Sequence, residues 1–240
     1  MKVAVIIPAA GLGTRMTRSY AERSGISRKQ FMLLDGAPIL LHTLGKFAAC
    51  ARVSEIVIAL RADDMEWVRK MLEEARLEKP VRIVEGGESR QASVENALLT
   101  LAPDTTLVAV HDAVRPFVDA DTINRVIDEA DATGAAIAGI VPVDTVKQVH
   151  RNKIRATIPR ERLVLAQTPQ VFRFEILQRA FAAARQDNFT GTDESSLVER
   201  LDQEVSVVAG SDRNIKITRP ADMDLARLFL SQDLQAQERK

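Results

Sequence analysis

Val3-Ala4-Val5-Ile6-Ile7-Pro8-Ala9-Ala10-Gly11-Leu12-Gly13-Thr14-Arg15-Met16 decides how this chain folds. Val3 to Ile7 is an unbroken apolar run closed by proline, alanine and glycine, which predicts a central parallel strand covered on both faces. Ala9 to Gly13 then offers a backbone bare enough to lie flat against a ligand. Glycine permits positive φ, and free amides can meet phosphate oxygens. Arg15 adds fixed positive charge just beyond. Taken alone, a G-x-G is equally a tight strand-to-helix turn with a surface arginine. Two common phosphate-binding patterns are excluded. A dinucleotide turn needs G-x-G-x-x-G, and Met16 stands where the third glycine belongs. A Walker loop needs G-x-x-x-x-G-K-[ST], which the stretch lacks.

Residues 14–30 carry Arg15, Arg18, Arg23, Arg28 and Lys29 against a single acid, Glu22. With Ser19, Ser24, Gly25 and Ser27 and no clear period, the segment is predicted as a basic loop suited to a triphosphate. A solvated charge run is the plainer alternative for Arg18, Arg23 and Arg28. Pro38 to Phe47 reads as a helix opened by proline. Ser54 to Leu60 is a second strand. Met65, Val68, Leu72 and Ala75 share one face of a crossover helix over Asp63 to Arg76. Val81 to Val84 is a third strand, and the Gly86-Gly87 pair at its end predicts a close backbone approach.

Ser89 to Leu98 follows as a helix with Arg90 and Ser93 near that loop. Thr106 to Val110, nearly all apolar, delivers Asp112 and Arg115 to the carboxyl edge, where open α/β sheets bind ligands. Asp112 is there either a Mg²⁺ ligand or Arg115's partner in a structural ion pair. A helix around Ile123 to Ala130 and a fifth strand from Ala135 to Val141 complete the alternation. The fold expected is α/β: a mostly parallel twisted sheet with helices on both faces, as one domain over residues 1–240. The rhythm breaks at residues 142–160, where two polar-alternating runs flank Arg151-Asn152 and predict a projecting β-hairpin arm. A lone two-stranded ribbon is marginal, so the arm is expected to pack on a second subunit. Further on, Thr192 is expected to cap a short helix, Val205 to Ala209 is a late strand, and Pro220 opens the last helix.

The chain has 240 residues, enough for a large core. Its 33 basic and 33 acidic residues cancel, which argues against a nucleic-acid or membrane surface, so any functional positive charge must be local. No apolar stretch is long enough for a transmembrane helix. The first residues run straight into strand without signal-peptide features, so the cytoplasm is expected. The one cysteine, Cys50, lies at the apolar end of a helix and excludes an internal disulfide or a Cys-rich metal site. It reads as a buried structural thiol.

Seven motifs in order carry a resemblance. They are Pro8-Ala9-Ala10-Gly11-Leu12-Gly13-Thr14-Arg15-Met16, Lys29-Gln30-Phe31, Gly86-Gly87, His111-Asp112-Ala113-Val114-Arg115-Pro116, Gln167-Thr168-Pro169-Gln170, Thr192-Asp193-Glu194, and Asn214-Ile215-Lys216-Ile217-Thr218-Arg219-Pro220. Each is weak singly. Together they span nearly the whole chain, which resembles the 2-C-methyl-D-erythritol 4-phosphate cytidylyltransferases of the non-mevalonate isoprenoid route, with their Rossmann-like nucleotidyltransferase fold. The resemblance implies that CTP lies across Pro8, Ala9, Ala10, Gly11 and Gly13, with Gly86, Arg90 and Ser93 near its base. It implies Arg15, Lys29 and Lys216 as catalytic residues on the phosphates, Asp112 as ligand of Mg²⁺, and Arg115, Thr145, Arg160, Thr168 and Lys216 on the sugar phosphate. It also implies a homodimer joined through the arm. The sequence departs from the family in one place: the loop between Arg15 and Lys29 is several residues longer, and Arg28 stands where proline usually precedes the lysine.

The implied reaction asks little proton transfer of the protein, because a phosphate monoester with a second pKa of about 6 is already anionic near neutrality. The task is to bring it to a triphosphate of like charge, which suits cations and a metal rather than a general base. Ribitol 5-phosphate cytidylyltransferases share several of these motifs. They typically read Leu-Ala-Gly-Gly where this chain reads Pro8 to Gly11, and Thr-Thr-Pro where it reads Thr218-Arg219-Pro220, so methylerythritol phosphate is the acceptor favoured. A nucleotide-binding regulator without turnover would have no need to keep Arg15, Lys29, Asp112 and Lys216 together.

Overall fold

The structure, a computed structural model, describes residues 1–11 and 28–238. The expectations for Gly13, Arg15, Arg18 and Arg23 lie outside the described residues. In chain order the elements are β1 (Val3–Pro8), a hairpin of β2 (Leu33–Leu34) and β3 (Ala37–Pro38), α1 (Ile39–Ala48), β4 (Val53–Leu60) and α2 (Ala62–Ala75). Next come β5 (Val81–Glu85), α3 (Arg90–Leu98), β6 (Leu107–Val110), α4 (Ala120–Thr133) and β7 (Ala135–Ile140). The arm is β8 (Val146–His150) and β9 (Lys153–Ile158). The chain then forms β10 (Leu165–Arg173), α5 (Phe174–Gln186), α6 (Glu194–Glu199), β11 (Ser206–Ala209) and α7 (Pro220–Glu238).

Seven strands form one sheet in the order β11-β7-β10-β6-β1-β4-β5. β1 lies inside it, parallel to β4 on one side and β6 on the other. Val3 to Ile7 are wholly buried, and they serve two cores by alternation. Val3, Val5 and Ile7 join Leu44 and Phe47 of α1, Val68 of α2 and Val126 of α4. Ala4 and Ile6 join Val94 of α3, Leu177 and Phe181 of α5 and Leu197 of α6. A period of two in a strand covered on both faces therefore leaves no polar position, which is why the run reads as continuously apolar.

The sheet is mixed rather than purely parallel, because β10 runs antiparallel to both β6 and β7. This reversal shapes the site. The parallel strands end at the carboxyl edge, whereas the antiparallel β10 begins there. Its pairing with β7 breaks between Ala166 and Gln170, placing residues 167–169 at that edge in an irregular backbone.

Local chemistry explains the boundaries. Ser89 Oγ accepts from the Ala92 amide at 3.0 Å and caps α3. Asp119 caps α4 by accepting from the Thr122 amide at 2.6 Å, and Gly134 at φ 98° ends that helix. Asp193, not Thr192, caps α6, in a reciprocal arrangement with Ser196. Asp has the side-chain oxygen one residue nearer the first turn, so it takes the position expected of Thr192. Two primed hairpin turns stand at positive φ, Asp35-Gly36 and Arg151-Asn152. The second closes the arm, which forms its own two-stranded sheet. Cys50 is buried, with no disulfide.

Candidate active site

The carboxyl ends of β1, β5 and β6 converge with the start of α3. Among the described residues one cavity is lined by Pro8, Ala9, Ala10 and Gly11 of the turn after β1, by Lys29 and Gln30, by Arg90 and Ser93, and by Asp112 and Lys216. A second, adjoining pocket is lined by Arg90, Asp112, Arg115, Thr168, Thr192 and Lys216, among others. Arg90, Asp112 and Lys216 border both, so they mark the junction. Neither pocket includes Thr145 or Arg160. Both belong to the arm region, where Arg160 Nη1 donates to the Val143 carbonyl within the same chain.

The glycine turn is held differently from the expectation. Gly11 is not at positive φ, and among the described residues a Cβ there would meet nothing within 4 Å. The turn is fixed instead by Gln30, whose Nε2 donates to the Ala9 carbonyl at 2.7 Å and the Gly11 carbonyl at 3.2 Å. Gln30 is buried, so these bonds are shielded from water. Steric need falls on Gly86, where a Cβ would lie 2.6 Å from Ala10 Cβ and 3.0 Å from Ser93 Oγ. The Gly86 amide donates to the Leu60 carbonyl at 2.7 Å, which closes β5 onto β4 beneath the turn. The Ser93 hydroxyl accepts from the Gly87 amide at 3.1 Å and donates to the Ser89 carbonyl at 2.8 Å. Ser93 thus shapes the wall opposite the glycine turn.

Electrostatics centre on Asp112. Its Oδ1 accepts from Arg90 Nε at 3.3 Å, and its Oδ2 from Arg115 Nε at 3.3 Å and Lys216 Nζ at 2.9 Å. Burial alone would raise its pKa. The charges of Arg90, Lys216 and Arg115 outweigh that and hold the carboxyl well below the usual carboxylate range. Arg90 is shared, since its Nη1 donates to both oxygens of the buried Glu194 at 2.7 and 2.9 Å. Arg115 is fixed a second time by the Asn214 carbonyl at 2.7 Å. Asn214 itself is wholly buried and donates to the Thr168 carbonyl at 2.8 Å, tying the segment that carries Lys216 to the start of β10. The two readings of Asp112 are therefore not exclusive, because it pairs with Arg115 and also faces both pockets.

Among the described residues no group of three or more His, Cys, Asp and Glu is placed to enclose a metal ion. A lone ionised carboxylate at the junction of two pockets still suits Mg²⁺, which binds through one or two carboxylates plus substrate phosphates and water. Asp112 fits such a role, with Lys216 and Arg90 as the neighbours that a metal would adjoin.

Gln30, Gln170, Glu194 and Asn214 stand inside the quoted motifs without an assigned role, and all four are buried polar groups. Gln170 Nε2 donates to Asp193 and its Oε1 accepts from the Ser195 amide. Their adjacency to Lys29, Lys216, Thr192 and Thr168 was the available signal.

The model of the 2-C-methyl-D-erythritol 4-phosphate cytidylyltransferase family matches residues 3–232. The enzyme of that name from Solibacter usitatus (strain Ellin6076) is 65% identical over 237 residues, covering 97% of each chain. Its counterpart from Acidobacterium capsulatum is 50% identical over 97% of this chain and 98% of its own. Among solved structures, 4-diphosphocytidyl-2C-methyl-D-erythritol synthase from Anaerococcus prevotii DSM 20548 superposes with a TM-score of 0.83 at 29% identity, covering 95% of this chain and 96% of that one. The Francisella tularensis 2-C-methyl-D-erythritol 4-phosphate cytidylyltransferase gives 0.78 at 32% identity over 95% and 99%. The family match and the identity to these relatives extend over nearly the full length, and the chain belongs to the 2-C-methyl-D-erythritol 4-phosphate cytidylyltransferase family.

Proposed function

We propose that this chain converts CTP and 2-C-methyl-D-erythritol 4-phosphate to 4-diphosphocytidyl-2-C-methyl-D-erythritol and pyrophosphate, a step in isoprenoid precursor synthesis, with the nucleotide in the first cavity and the sugar phosphate in the second. The observation that carries the placement is the junction at Asp112, where Arg90 and Lys216 border both pockets. A phosphate oxygen of the acceptor attacks the α-phosphorus of CTP in line. The bond from that phosphorus to the oxygen bridging to the β-phosphate breaks, and pyrophosphate departs with the electron pair. No general base is needed, since the nucleophile is already anionic.

Lys216, whose Nζ lies 2.9 Å from Asp112 Oδ2, is placed to shift onto phosphate oxygens and offset the repulsion between the two anions. Lys29, which opens a short 3-10 turn and lines the first cavity, acts on the triphosphate together with Arg15, while Arg115 and Thr168 receive the acceptor phosphate. The backbone of Pro8 to Gly11, with Gly86 and Ser93 behind it, provides a flat wall for the nucleotide. Asp112 would hold Mg²⁺, which when bound supplies Lewis-acid stabilisation of the phosphate oxygens.

The second half of the acceptor site is assigned to a partner subunit. Thr145 and Arg160 lie with the arm and outside both pockets, and Val143, Val149 and Ile154 are exposed on it. Apolar side chains on an uncovered ribbon suit burial against a second copy. A homodimer would bring the partner's arm to each site. Among the described residues no helix is long and apolar enough to cross a membrane.

Asp112→Asn tests this placement. The amide is a poor Mg²⁺ ligand, so turnover should fall by at least about 10²-fold, the scale of losing a transition-state electrostatic group. Circular dichroism should remain native. An unfolded variant would favour a purely structural Asp112–Arg115 pair, and full activity would remove Asp112 from the site.

A further inference from the structure

Glu194 is a buried acid that lines neither pocket, yet both of its oxygens hold Arg90 Nη1. Burying a charge costs several kcal/mol before its pairing is counted. Holding α6 in place does not require it. That helix is already fixed by the Asp193–Ser196 reciprocal cap, by Gln170 between Asp193 and the Ser195 amide, and by buried Leu197 and Val198. The loop before it is tied to α3 as well, through the Gly191 amide and Gln91 Oε1 at 2.9 Å.

The geometry gives Glu194 a different use. Asp112 faces three cations, and a carboxylate whose charge is fully taken up by Arg90, Arg115 and Lys216 would be a weak ligand for a fourth. Arg90 lies between two carboxylates, with Nε on Asp112 at 3.3 Å and Nη1 on Glu194 at 2.7 Å. The shorter contacts are those to Glu194. We propose that Glu194 is a positioning residue that holds the Arg90 guanidinium toward itself and so leaves Asp112 available to a divalent cation accompanying the nucleotide. The proposal rests on the reading of Asp112 above, and it concerns nucleotide and metal only.

The test uses Mn²⁺ as the spectroscopic probe, CTP as the nucleotide and no sugar phosphate, so its outcome does not depend on which acceptor is turned over. In Glu194→Gln the charge is lost and Arg90 turns wholly to Asp112. Mn²⁺ affinity at saturating CTP, read by electron paramagnetic resonance, should weaken by about 10–100-fold, the usual effect of changing a group behind a metal ligand. Metal-free CTP affinity, read by calorimetry, should hold or increase because the site has gained a net positive charge. In Arg90→Gln/Glu194→Gln the competing cation is gone as well. That double variant loses Arg90's own contact with the nucleotide and should bind CTP more weakly, yet at saturating CTP it should bind Mn²⁺ at least about threefold more tightly than Glu194→Gln, a non-additive result expected of directly coupled residues. It also covers the case in which the single variant fails to fold, since a buried amide pair leaves no unpaired charge. Unchanged Mn²⁺ affinity in Glu194→Gln, equal losses of metal and metal-free CTP binding, or a double variant as weak for Mn²⁺ as a folded single one would each overturn the proposal.

Discussion

The backbone amide of Asp112 donates to Thr168 Oγ1 at 3.1 Å. This bond joins the end of β6, which carries the junction carboxylate, to the irregular start of the antiparallel β10, which borders the second pocket and not the first. Both residues are buried, so the bond is protected from water. Thr168→Val keeps the shape and removes the acceptor, leaving a buried amide unsatisfied at a cost of about 1–3 kcal/mol. Urea unfolding should show that loss, and KM for the sugar phosphate should rise more than KM for CTP. Thr168→Ser should restore both quantities. A valine variant with unchanged stability would mean the bond is not formed in solution.

Gly86 is the glycine that the nucleotide wall requires. A methyl there would overlap Ala10 Cβ, which sits directly on the backbone of the turn and cannot swing aside. Gly86→Ala should therefore separate β5 from the turn after β1, destabilise by about 1–3 kcal/mol, and raise the Kd for CTP. Gly11→Ala meets no atom within 4 Å among the described residues and should cost little in stability by comparison. Equal thermal shifts in the two variants would contradict the packing described.

His111 is wholly buried, with Nε2 donating to the Arg115 carbonyl at 3.0 Å and its ring edge-on to Phe47. Burial pushes its pKa down from 6.5 to about 4. The unfolded chain therefore takes up a proton that the folded chain refuses. Stability from this residue is complete above pH 6.5 and falls as pH drops from there toward 4. The loss at pH 5 should be about 2 kcal/mol relative to neutral pH. Denaturation of His111→Gln at both pH values should show a smaller difference between them than wild type does. An equal pH dependence would place the acid sensitivity elsewhere.

If the arm completes the partner's site, a chain inactivated at Lys216 and one inactivated at Arg160 should complement each other. Random pairing of the two makes about half of all dimers mixed, and each mixed dimer holds one intact site. Activity should return to about a quarter of wild type when the chains are co-expressed. A mixture no more active than its parents, or a monomer by light scattering, would remove the arm from catalysis.

The fold was legible where burial on both faces forces a residue type. The apolar runs of β1, β4 and β6 could only be central strands, and Ser89 and Pro220 marked helix starts by chemistry that acts within one turn. The antiparallel sense of β10 was not legible, because strand direction is set by contacts with β6 and β7, distant in sequence. The charged members of the site stood out through the motifs around Lys29, Asp112 and Lys216. Gln30, Asn214 and Glu194 did not, since a polar residue bonded inside the protein looks the same in sequence as one on the surface. The expectation of a positive glycine φ is not met at Gly11, where the carbonyls of Ala9 and Gly11 are held by a side chain that arrives from Gln30, and for Gly13 it lies outside the described residues.

The pocket beside Thr168 and Arg115 is the one proposed to receive 2-C-methyl-D-erythritol 4-phosphate. Pyrophosphate release with CTP, Mg²⁺ and either that compound or ribitol 5-phosphate decides whether it does. A pocket whose polar groups match one acceptor rejects a mismatched polyol by leaving those groups unpaired, so kcat/KM should differ by about 10²-fold or more in favour of the methylerythritol phosphate. Equal release from both acceptors, or release from ribitol 5-phosphate alone, would contradict the account.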